Sequence, residues 1–504
     1  MNNSEQQPTP YRGMITLSIM LATIMQTLDS TIANVALPHM QGALSASQDQ
    51  ITWVLTSYIV AAAIATPLNG WLCDRFGKKN VLLVSILGFT LASCLCGVAV
   101  SLPEIVLARV LQGISGAALV PLSQTILLDI NTRDKQGSAM AIWGMGVMVG
   151  PILGPTLGGW LTDSYSWRWV FFINVPIGML AMYGVWTYIK TLPSKGARKF
   201  DMFGFATLSI AIGALQLLLD RGEQNDWFSS IETRIEAAVM VISFSYFIVH
   251  TLLTPPEESF FNFRLLKNHH YSTGLLLIFV IGLLLYATRA LIPPMLQNLM
   301  DYPVATAGLV TAPSGAGTML AMLLVGRLVT RVDIRLLLFV GFSIAAFSLW
   351  QMSQYTIILS ESDIVWPGFI QGVGLGLIFV PLSTATFATL PPEMRAEGTA
   401  IYSLIRNIGS SIGISLVQTL LVRNTQVVHS GLVENVTPYN SAWRDSTVAS
   451  IYDLHTQSGL AALDDMITHQ ASMIGYIDDF WMMFLLTVIA MPLLFLMRVP
   501  KRSL

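Results

Sequence analysis

Charged residues are scarce in this sequence. Asp, Glu, Lys and Arg make up only 11% of the 504 residues, whereas 53% are hydrophobic, and the mean hydropathy is +0.62. A soluble globular domain carries about 25% charged residues. The deficit therefore excludes an ordinary soluble protein and predicts a chain that crosses the bilayer many times. The net charge of −2 offers no basic surface for nucleic acid, so we expect no nucleic-acid partner.

Cysteine is rare as well, and the sequence shows no cluster of catalytic or metal-binding residues. The three cysteines, Cys73, Cys94 and Cys96, lie in or beside apolar runs, which excludes a secreted disulfide framework. The seven histidines are scattered, and no group of residues has metal-ligand spacing. A membrane enzyme would need a clustered nucleophile, a metal or a pair of acids near one interface. We therefore expect no enzyme activity, no metal and no other cofactor.

Long apolar runs are what the sequence has in abundance. We predict fourteen of them, each near the roughly 20 residues that an α-helix needs to cross a bilayer. When the N-terminus is placed in the cytoplasm, nineteen of the 27 lysines and arginines fall on the cytoplasmic side and five fall outside. Cytoplasmic loops carry the excess of Lys and Arg. The sequence thus predicts a multi-pass protein of the cell membrane with both termini in the cytoplasm.

A charged loop between the second and third runs has a weaker copy later in the chain. Residues 70–79 read Gly-Trp-Leu-Cys-Asp-Arg-Phe-Gly-Lys-Lys, and residues 326–335 read Gly-Arg-Leu-Val-Thr-Arg-Val-Asp-Ile-Arg. In the same way, Gln112-Gly113 in span four recurs as Gln371-Gly372 in span twelve. Such repeats are typical of transporters built from two parallel halves.

These repeats predict the organisation of the whole chain. We expect an all-α membrane protein in which spans one to six and nine to fourteen form two related six-helix halves. Spans seven and eight, at about 202–219 and 235–253, have no counterpart and would be an inserted pair. The predicted domains are an N-terminal half over 1–190, a linker with the two extra helices over 191–272, and a C-terminal half over 273–504. The last of these includes an external loop at 425–476 between spans predicted at 397–422 and 477–497.

Two ionisable residues lie deep in apolar spans. Asp29 is the only formal charge in span one, and carboxylates at this depth face a cavity or a partner and are functional by default. It is a candidate proton acceptor, although an Asp that is permanently tied to a neighbouring helix would give the same sequence. Arg109 in span four stays protonated, so it would assist a nearby carboxylate or instead bind backbone carbonyls.

Span five carries a glycine stripe. Its small residues recur every four positions, which lets another helix approach closely, and two prolines remove helical donors and favour a kink. Tight packing alone would explain this pattern, but we expect a closely packed helix between the halves that seals one side of a pathway. The residues concerned are Gly146, Gly150, Pro151, Gly154, Pro155 and Gly158.

The second half presents bases rather than acids. Arg406 lies near the middle of span thirteen beside Asn407, and Arg289 lies in the outer part of span nine, whereas the apolar part of span ten has no acid. Arg406 is a candidate contact for an anionic group or else a fixed partner of backbone carbonyls, and Arg289 could equally extend to the outer interface. With Asn34 and Gln112 from the first half, Arg406 and Asn407 are our candidate residues for a substrate cavity.

Several of these patterns resemble signatures of one transporter family. The loop with Gly70, Leu72, Asp74, Arg75, Gly77, Lys78 and Lys79 resembles the loop between helices two and three of the major facilitator superfamily. Arg109-x-x-Gln112-Gly113 is similar to its helix-four motif, and the span-five stripe is similar to the helix-five motif of its antiporters. Asp29-x-Thr31-x-x-Asn34 resembles the helix-one motif of the fourteen-helix drug:proton antiporters. Residues 167–178, 219–222 and 226–228 look like those of EmrB-type permeases.

The resemblance implies a major facilitator fold and a multidrug exporter of the inner membrane that works by alternating access and is driven by proton influx. Asp29 would take the proton and Arg109 would assist it. Gly70, Asp74, Arg75, Gly77 and Lys78 would gate the cytoplasmic side. A periplasmic adaptor and an outer-membrane channel are the protein partners that the resemblance implies.

The substrates implied are lipophilic drugs or other toxic small molecules. Fourteen-helix exporters of lipophilic cations often carry a second carboxylate in the later helices. Because span ten lacks one and Arg406 is present, we expect neutral or weakly acidic lipophiles. Proton-coupled uptake of a nutrient and a non-transporting membrane sensor on the same scaffold remain alternatives at this point.

Overall fold

The protein folds as a bundle of long helices. The computed structural model describes residues 11–132, 135–190, 199–255, 258–259, 261–329, 331–437, 452–453 and 455–497. Within these residues the chain forms helices joined by turns and contains no β-strand, and fourteen helices are long and apolar enough to cross a membrane. The predicted number of spans and the all-α class are confirmed.

The fourteen spanning helices are numbered in chain order. They are α1 (Arg12–Ala43), α2 (Trp53–Phe76), α3 (Lys78–Val98), α4 (Leu102–Ile130), α5 (Gln136–Ser164), α6 (Trp169–Tyr188), α7 (Met202–Arg221), α8 (Ile231–Leu253), α9 (His269–Leu299), α10 (Thr306–Leu328), α11 (Ile334–Met352), α12 (Glu361–Phe387), α13 (Pro392–Val433) and α14 (Gln457–Leu496).

The helices pack as two groups of six with a separate pair. In the first group α1 packs on α5 and α6, and α4 packs on α2 and α3. In the second group α9 packs on α13, while α12 packs on α10 and α11 and α14 packs on α11 and α13. The two groups meet where α5 contacts α10 and where α13 contacts α2 and α4.

Helices α7 and α8 pack on each other, and α7 contacts both groups. On one side the Thr56 hydroxyl of α2 donates to the Asp220 carboxylate of α7. On the other side Gln216 Nε2 of α7 donates to Ser411 Oγ of α13 over 2.8 Å. The inserted pair is therefore fixed to both groups through α7 by polar bonds as well as by apolar packing.

One glycine joins α2 to α3. Gly77 has φ 81° and ψ 147°, a conformation that residues with a Cβ avoid. The preceding helix ends at Phe76 and the next begins at Lys78, so this single residue reverses the chain. We call the side of the bundle that carries this turn the basic end.

The last two spanning helices are much longer than predicted. Helix α13 has 42 residues and α14 has 40, and at 1.5 Å per residue each is about 60 Å long, roughly twice the thickness of a bilayer core. Much of the predicted loop at 425–476 is thus helix that continues beyond the apolar layer, although 438–451 and 454 lie outside the described residues. His429 Nε2 of α13 lies 3.1 Å from Asp464 Oδ1 of α14 and joins these two extensions.

Candidate functional site

Asp29 lies at the centre of a buried polar cluster. Its side chain has no exposed surface, and its carboxylate accepts three hydrogen bonds. Arg109 Nη1 donates to Oδ2 over 2.7 Å, Gln112 Nε2 donates to Oδ1 over 2.8 Å, and Asn174 Nδ2 donates to Oδ1 over 2.8 Å. The cluster thus joins α1, α4 and α6 around a single charged group.

Arg109 extends this cluster to a fourth helix. Its Nη1 also donates to Gln112 Oε1 over 2.7 Å, and its Nε donates to the Val54 carbonyl of α2 over 3.0 Å. The guanidinium carbon lies 4.2 Å from the centre of the Tyr58 ring, within the range of a cation–π contact. Arg109 therefore has both of the roles that the sequence left open: it pairs with a carboxylate and it binds a backbone carbonyl.

Local sequence spacing places these groups together. Arg109 and Gln112 are three residues apart on α4, so they lie on the same helix face. Asn174 follows a turn that divides α6 between Phe172 and Asn174, and its Nδ2 also lies 3.0 Å from Ser93 Oγ of α3. Asn174 was not among the site residues predicted from the sequence. It could have been found as an amide within an apolar run, because a buried amide must find a hydrogen-bond partner.

The hydrogen bonds of this cluster link one carboxyl group to the packing of three helices. Three N–H donors converge on the Asp29 carboxylate. A carboxyl that carried a proton would bond less strongly to Arg109 and would compete with the two amide donors. Such a change would loosen the hold of α1 on α4 and α6.

The predicted cavity residues lie in different surroundings. Asn34 is exposed on α1, one turn beyond the exposed Ser30, whereas Gln112 has no exposed surface and belongs to the Asp29 cluster. Asn407 is exposed on α13, and its Oδ1 lies 3.5 Å from Arg406 Nη2. Gln112 thus supports the carboxylate, while Asn34 and Asn407 present exposed amide groups.

Two arginines of the second group are poorly compensated. Arg406 is only 7% exposed, and its Nε has no hydrogen-bond partner among the described residues. Arg289 Nη1 likewise has no partner in that part of the chain, and its Nη2 lies 3.4 Å from the Met148 sulfur of α5. Glycine allows α9 to reach this region, since a Cβ at Gly282 would lie 2.3 Å from the Arg406 carbonyl oxygen. Within the described residues, each of the two guanidinium groups therefore has one buried nitrogen without a hydrogen-bond partner.

The glycine stripe of α5 faces α1 and not the second group. A Cβ at Gly150 would lie 2.3 Å from the Thr27 carbonyl carbon, and one at Gly154 would lie 2.2 Å from Thr31 Oγ1. Thr31 Oγ1 also donates to the Gly150 carbonyl over 2.9 Å. The stripe therefore presses α5 against the helix that carries Asp29, because small residues permit close approach of two helices.

Other residues of α5 contact the second group. Ser138 Oγ donates to the Gly326 carbonyl of α10 over 3.0 Å, and a Cβ at Gly315 of α10 would lie 2.0 Å from Ile152 Cγ1. Helix α5 does lie between the two groups, but its glycine face serves the first group. Both prolines, Pro151 and Pro155, lie inside the helix.

At the basic end the two groups are joined by an acid that sequence analysis did not select. Asp129 of α4 accepts from Lys78 Nζ over 2.5 Å and from Arg395 Nη1 of α13 over 3.0 Å. Arg395 also donates to the Leu128 carbonyl over 3.1 Å. Asp129 and Arg395 end apolar runs, where a charge is expected in any membrane protein, so their sequence gave no sign of this contact.

The predicted gate residues lie around this contact. A Cβ at Gly70 would lie 3.0 Å from the Glu397 Cβ of α13, so glycine permits that approach. Asp74 is partly exposed. The Arg75 guanidinium carbon lies 5.2 Å from the centre of the Trp71 ring and the side chain is exposed. Gly70 and Lys78 thus take part in the contact between the groups, and Arg75 packs within its own group.

Comparison with known proteins identifies the family to which this fold belongs. The family model described as Major Facilitator Superfamily matches residues 19–414. The Multidrug export protein EmrB of Escherichia coli strain K12 is 37% identical, over 95% of this chain and 94% of that protein. The Fatty acid resistance protein FarB of Neisseria gonorrhoeae is 35% identical, over 97% and 96%. The crystal structure of the human organic anion transporter MFSD10 (TETRAN) aligns with a TM-score of 0.59 at 13% identity, covering 95% of this chain and 100% of that one, and shows a shared fold.

Proposed function

The chain belongs to the Major Facilitator Superfamily, and from this premise we propose that it exports lipophilic drugs or other toxic small molecules by alternating access, driven by proton influx. Its similarity to multidrug export proteins over nearly its full length supports the export of drugs. The observation that carries proton coupling is the Asp29 cluster, in which a fully buried carboxylate holds three helices through Arg109, Gln112 and Asn174.

Proton binding would drive the conformational change as follows. With Asp29 ionised, α1 is held against α4 and α6. Protonation from the outer side weakens the bond to Arg109, frees α1 to move and lets the two halves rock. Release of the proton on the inner side restores the cluster. Export requires that substrate enters while Asp29 is ionised and leaves after it has bound a proton, so that the two bind in opposite phases.

The arrangement described here supports an outward-facing state. The two groups are joined at the basic end by Asp129, Lys78 and Arg395, whereas the polar residues Ser30 and Asn34 of α1 are exposed farther from that end. In this proposal residues 70–79 form the cytoplasmic gate. The domain boundaries at 190 and 272 separate the two moving halves from the inserted pair.

The proposed orientation rests on the same charges. The excess of Lys and Arg at the basic end supports a cytoplasmic position for that end and for both termini, and the proposed location is the inner membrane of a cell with two membranes. The extensions of α13 and α14 would then project into the periplasm. They would meet a periplasmic adaptor there, and through it an outer-membrane channel.

Neutral or weakly acidic lipophiles are the proposed substrate class. Arg289 and Arg406 of the second half each have a guanidinium nitrogen without a hydrogen-bond partner among the described residues, and an arginine binds a carboxylate through two parallel hydrogen bonds. The relative FarB is named for fatty acid resistance, which supports an acidic lipophile as one substrate.

Transport in proteoliposomes tests the proposal. The purified protein is reconstituted, a pH gradient is imposed, and movement of a lipophilic weak acid and a lipophilic neutral drug is followed. Asp29→Asn should abolish gradient-driven movement. Because it also breaks the buried ion pair with Arg109, it should lower the melting temperature, so transport is compared for equal amounts of folded, reconstituted protein. Asn80→Ala, at an exposed amide of α3, is the matched control. Normal driven export by Asp29→Asn would refute proton coupling at Asp29, and movement in the opposite direction would indicate uptake.

A further inference from the structure

A second carboxyl group is buried in the membrane, and its surroundings are the opposite of those of Asp29. Asp479 of α14 has no exposed surface, and neither of its oxygens has a hydrogen-bond partner or an ion pair among the residues that the structure describes. Asp478, the next residue back, is exposed. An ionised carboxylate buried without donors is far more costly than the neutral acid, so Asp479 is protonated in this arrangement.

The position of Asp479 follows from the spacing along α14. Gly475, Asp479 and Met483 recur every four residues and share one helix face. At one end of this face, a Cβ at Gly475 would lie 3.0 Å from Thr425 Oγ1 of α13. At the other end, Met483 sulfur lies 3.9 Å from Thr288 Oγ1 of α9. Asp479 is therefore packed between α13 and α9 in the second half.

In the part of the chain that the structure describes, no base bonds to this acid. Tyr476 lies one turn away on α14 and is buried, and Tyr355 packs on the adjacent Phe480, with ring centres 5.8 Å apart. Among the bases of the helices that pack on α14, Arg423 of α13 is exposed, and Arg289 of α9 extends to Met148 of α5 in the first half. Met483, Phe480 and Tyr476 belong to an apolar cluster of the second half.

We propose that Asp479 is a second proton-binding site, which is protonated from the outer side in this state and releases its proton when the packing of α14 against α9 and α13 changes. This inference rests on the proposed proton-driven export. On loading, a proton from external water bonds to a carboxylate oxygen; on release, that O–H bond breaks and the proton returns to water. Asp29 and Asp479 then act in opposite halves, one ionised and one neutral in the same state.

Infrared difference spectroscopy tests the site without requiring transport. The full-length protein is titrated in lipid, and the carbonyl band of protonated carboxylic acids is followed. We expect a band that disappears as the pH is raised, is lost in Asp479→Asn and is retained in Asp478→Asn. If the band is the same in Asp479→Asn, or if it does not change with pH, the proposal is wrong.

A flux measurement then tests the role in coupling. The number of protons taken up per molecule of drug exported should be halved in Asp479→Asn and unchanged in Asp478→Asn; an unchanged number in Asp479→Asn would overturn the proposal. If the unmodified protein does not export at all, the proposed function fails, while the infrared result still decides whether Asp479 binds a proton. Asp479→Leu, which suits an apolar setting, replaces Asp479→Asn if the latter does not accumulate.

Discussion

Asn174 Nδ2 lies 2.8 Å from Asp29 Oδ1, so an amide of α6 completes the set of donors around the carboxylate of α1. We predict that Asn174→Ala lowers export by about tenfold, since removing one hydrogen bond to a charged group costs about 1.5–3 kcal/mol. The substitution removes the hydrogen bond from α6 to the carboxylate of α1. Export measured in proteoliposomes, with Asn80→Ala as control, checks this, and unchanged export by Asn174→Ala contradicts it.

Arg109→Lys should fail although it preserves the charge. Arg109 bonds to Asp29, Gln112 and the Val54 carbonyl from a planar group, and a lysine ammonium cannot reproduce that geometry. Breaking a buried ion pair costs about 3–5 kcal/mol, and retention of the charge limits the loss to the lower part of that range. We expect export to be abolished and the melting temperature to fall. Normal export by this variant would show that charge alone is sufficient.

Asp129→Asn should loosen the basic end. Asp129 binds Lys78 in its own half and Arg395 in the other, so removing its charge weakens the joint between the halves. The test uses a variant without native cysteines that carries Thr125→Cys and Thr399→Cys, at positions where the Thr125 and Thr399 hydroxyls lie 2.6 Å apart between α4 and α13. Oxidative cross-linking of this pair should decrease when Asp129→Asn is added. Cross-linking that stays the same would mean that Asp129 does not hold this end closed.

Two glycines of α5 offer a matched test of the contact with α1. A Cβ at Gly150 would lie 2.3 Å from the Thr27 carbonyl carbon, whereas a Cβ at Gly159 would meet nothing within 4 Å. Gly150→Ala should therefore destabilise the protein by about 1–3 kcal/mol, as overpacking does, and it should reduce export. Gly159→Ala should leave both unchanged. Thermal unfolding in detergent checks the prediction, and equal melting temperatures for the two variants would contradict it.

Arg406→Gln should change substrate preference and preserve proton coupling. Among the described residues Arg406 Nε has no hydrogen-bond partner, and Arg406 Nη2 lies 3.5 Å from Oδ1 of the exposed Asn407. The substitution removes the charge while leaving a polar side chain. We expect export of a lipophilic weak acid to fall about tenfold, since a hydrogen bond to a charged group is worth about 1.5–3 kcal/mol. Export of a neutral drug should change little. A parallel loss for both substrates would assign Arg406 a structural role.

The sequence predicted the parts of the fold that depend on local composition. Apolar runs of bilayer length gave fourteen spans, and all fourteen are present in the described chain. The extensions of α13 and α14 beyond the bilayer could not be found in this way, because hydropathy detects the apolar layer and not helix that continues past it. Helix α14 begins at Gln457, twenty residues before the predicted start of its span at 477.

Contacts between residues far apart in the sequence were predicted less well, because hydropathy does not show how the helices pack on one another. Asp29 and Arg109 each stood out as charges in apolar runs, but the position of Gln112 beside them depends on how α1 packs on α4. Asn174 is uncharged, and Asp479 lies close to the predicted start of span fourteen, where an acid looks ordinary. Only the packing of α14 on α9 and α13 shows that Asp479 is enclosed.

Helix α7 attaches the inserted pair to both six-helix groups. It binds α2 through Asp220 and Thr56 and binds α13 through Gln216 and Ser411, so one helix is attached to both groups. Gln216 and Asp220 are about one helical turn apart. A movement of one group against the other, as alternating access requires, must therefore either carry α7 along with both groups or break one of these two hydrogen bonds.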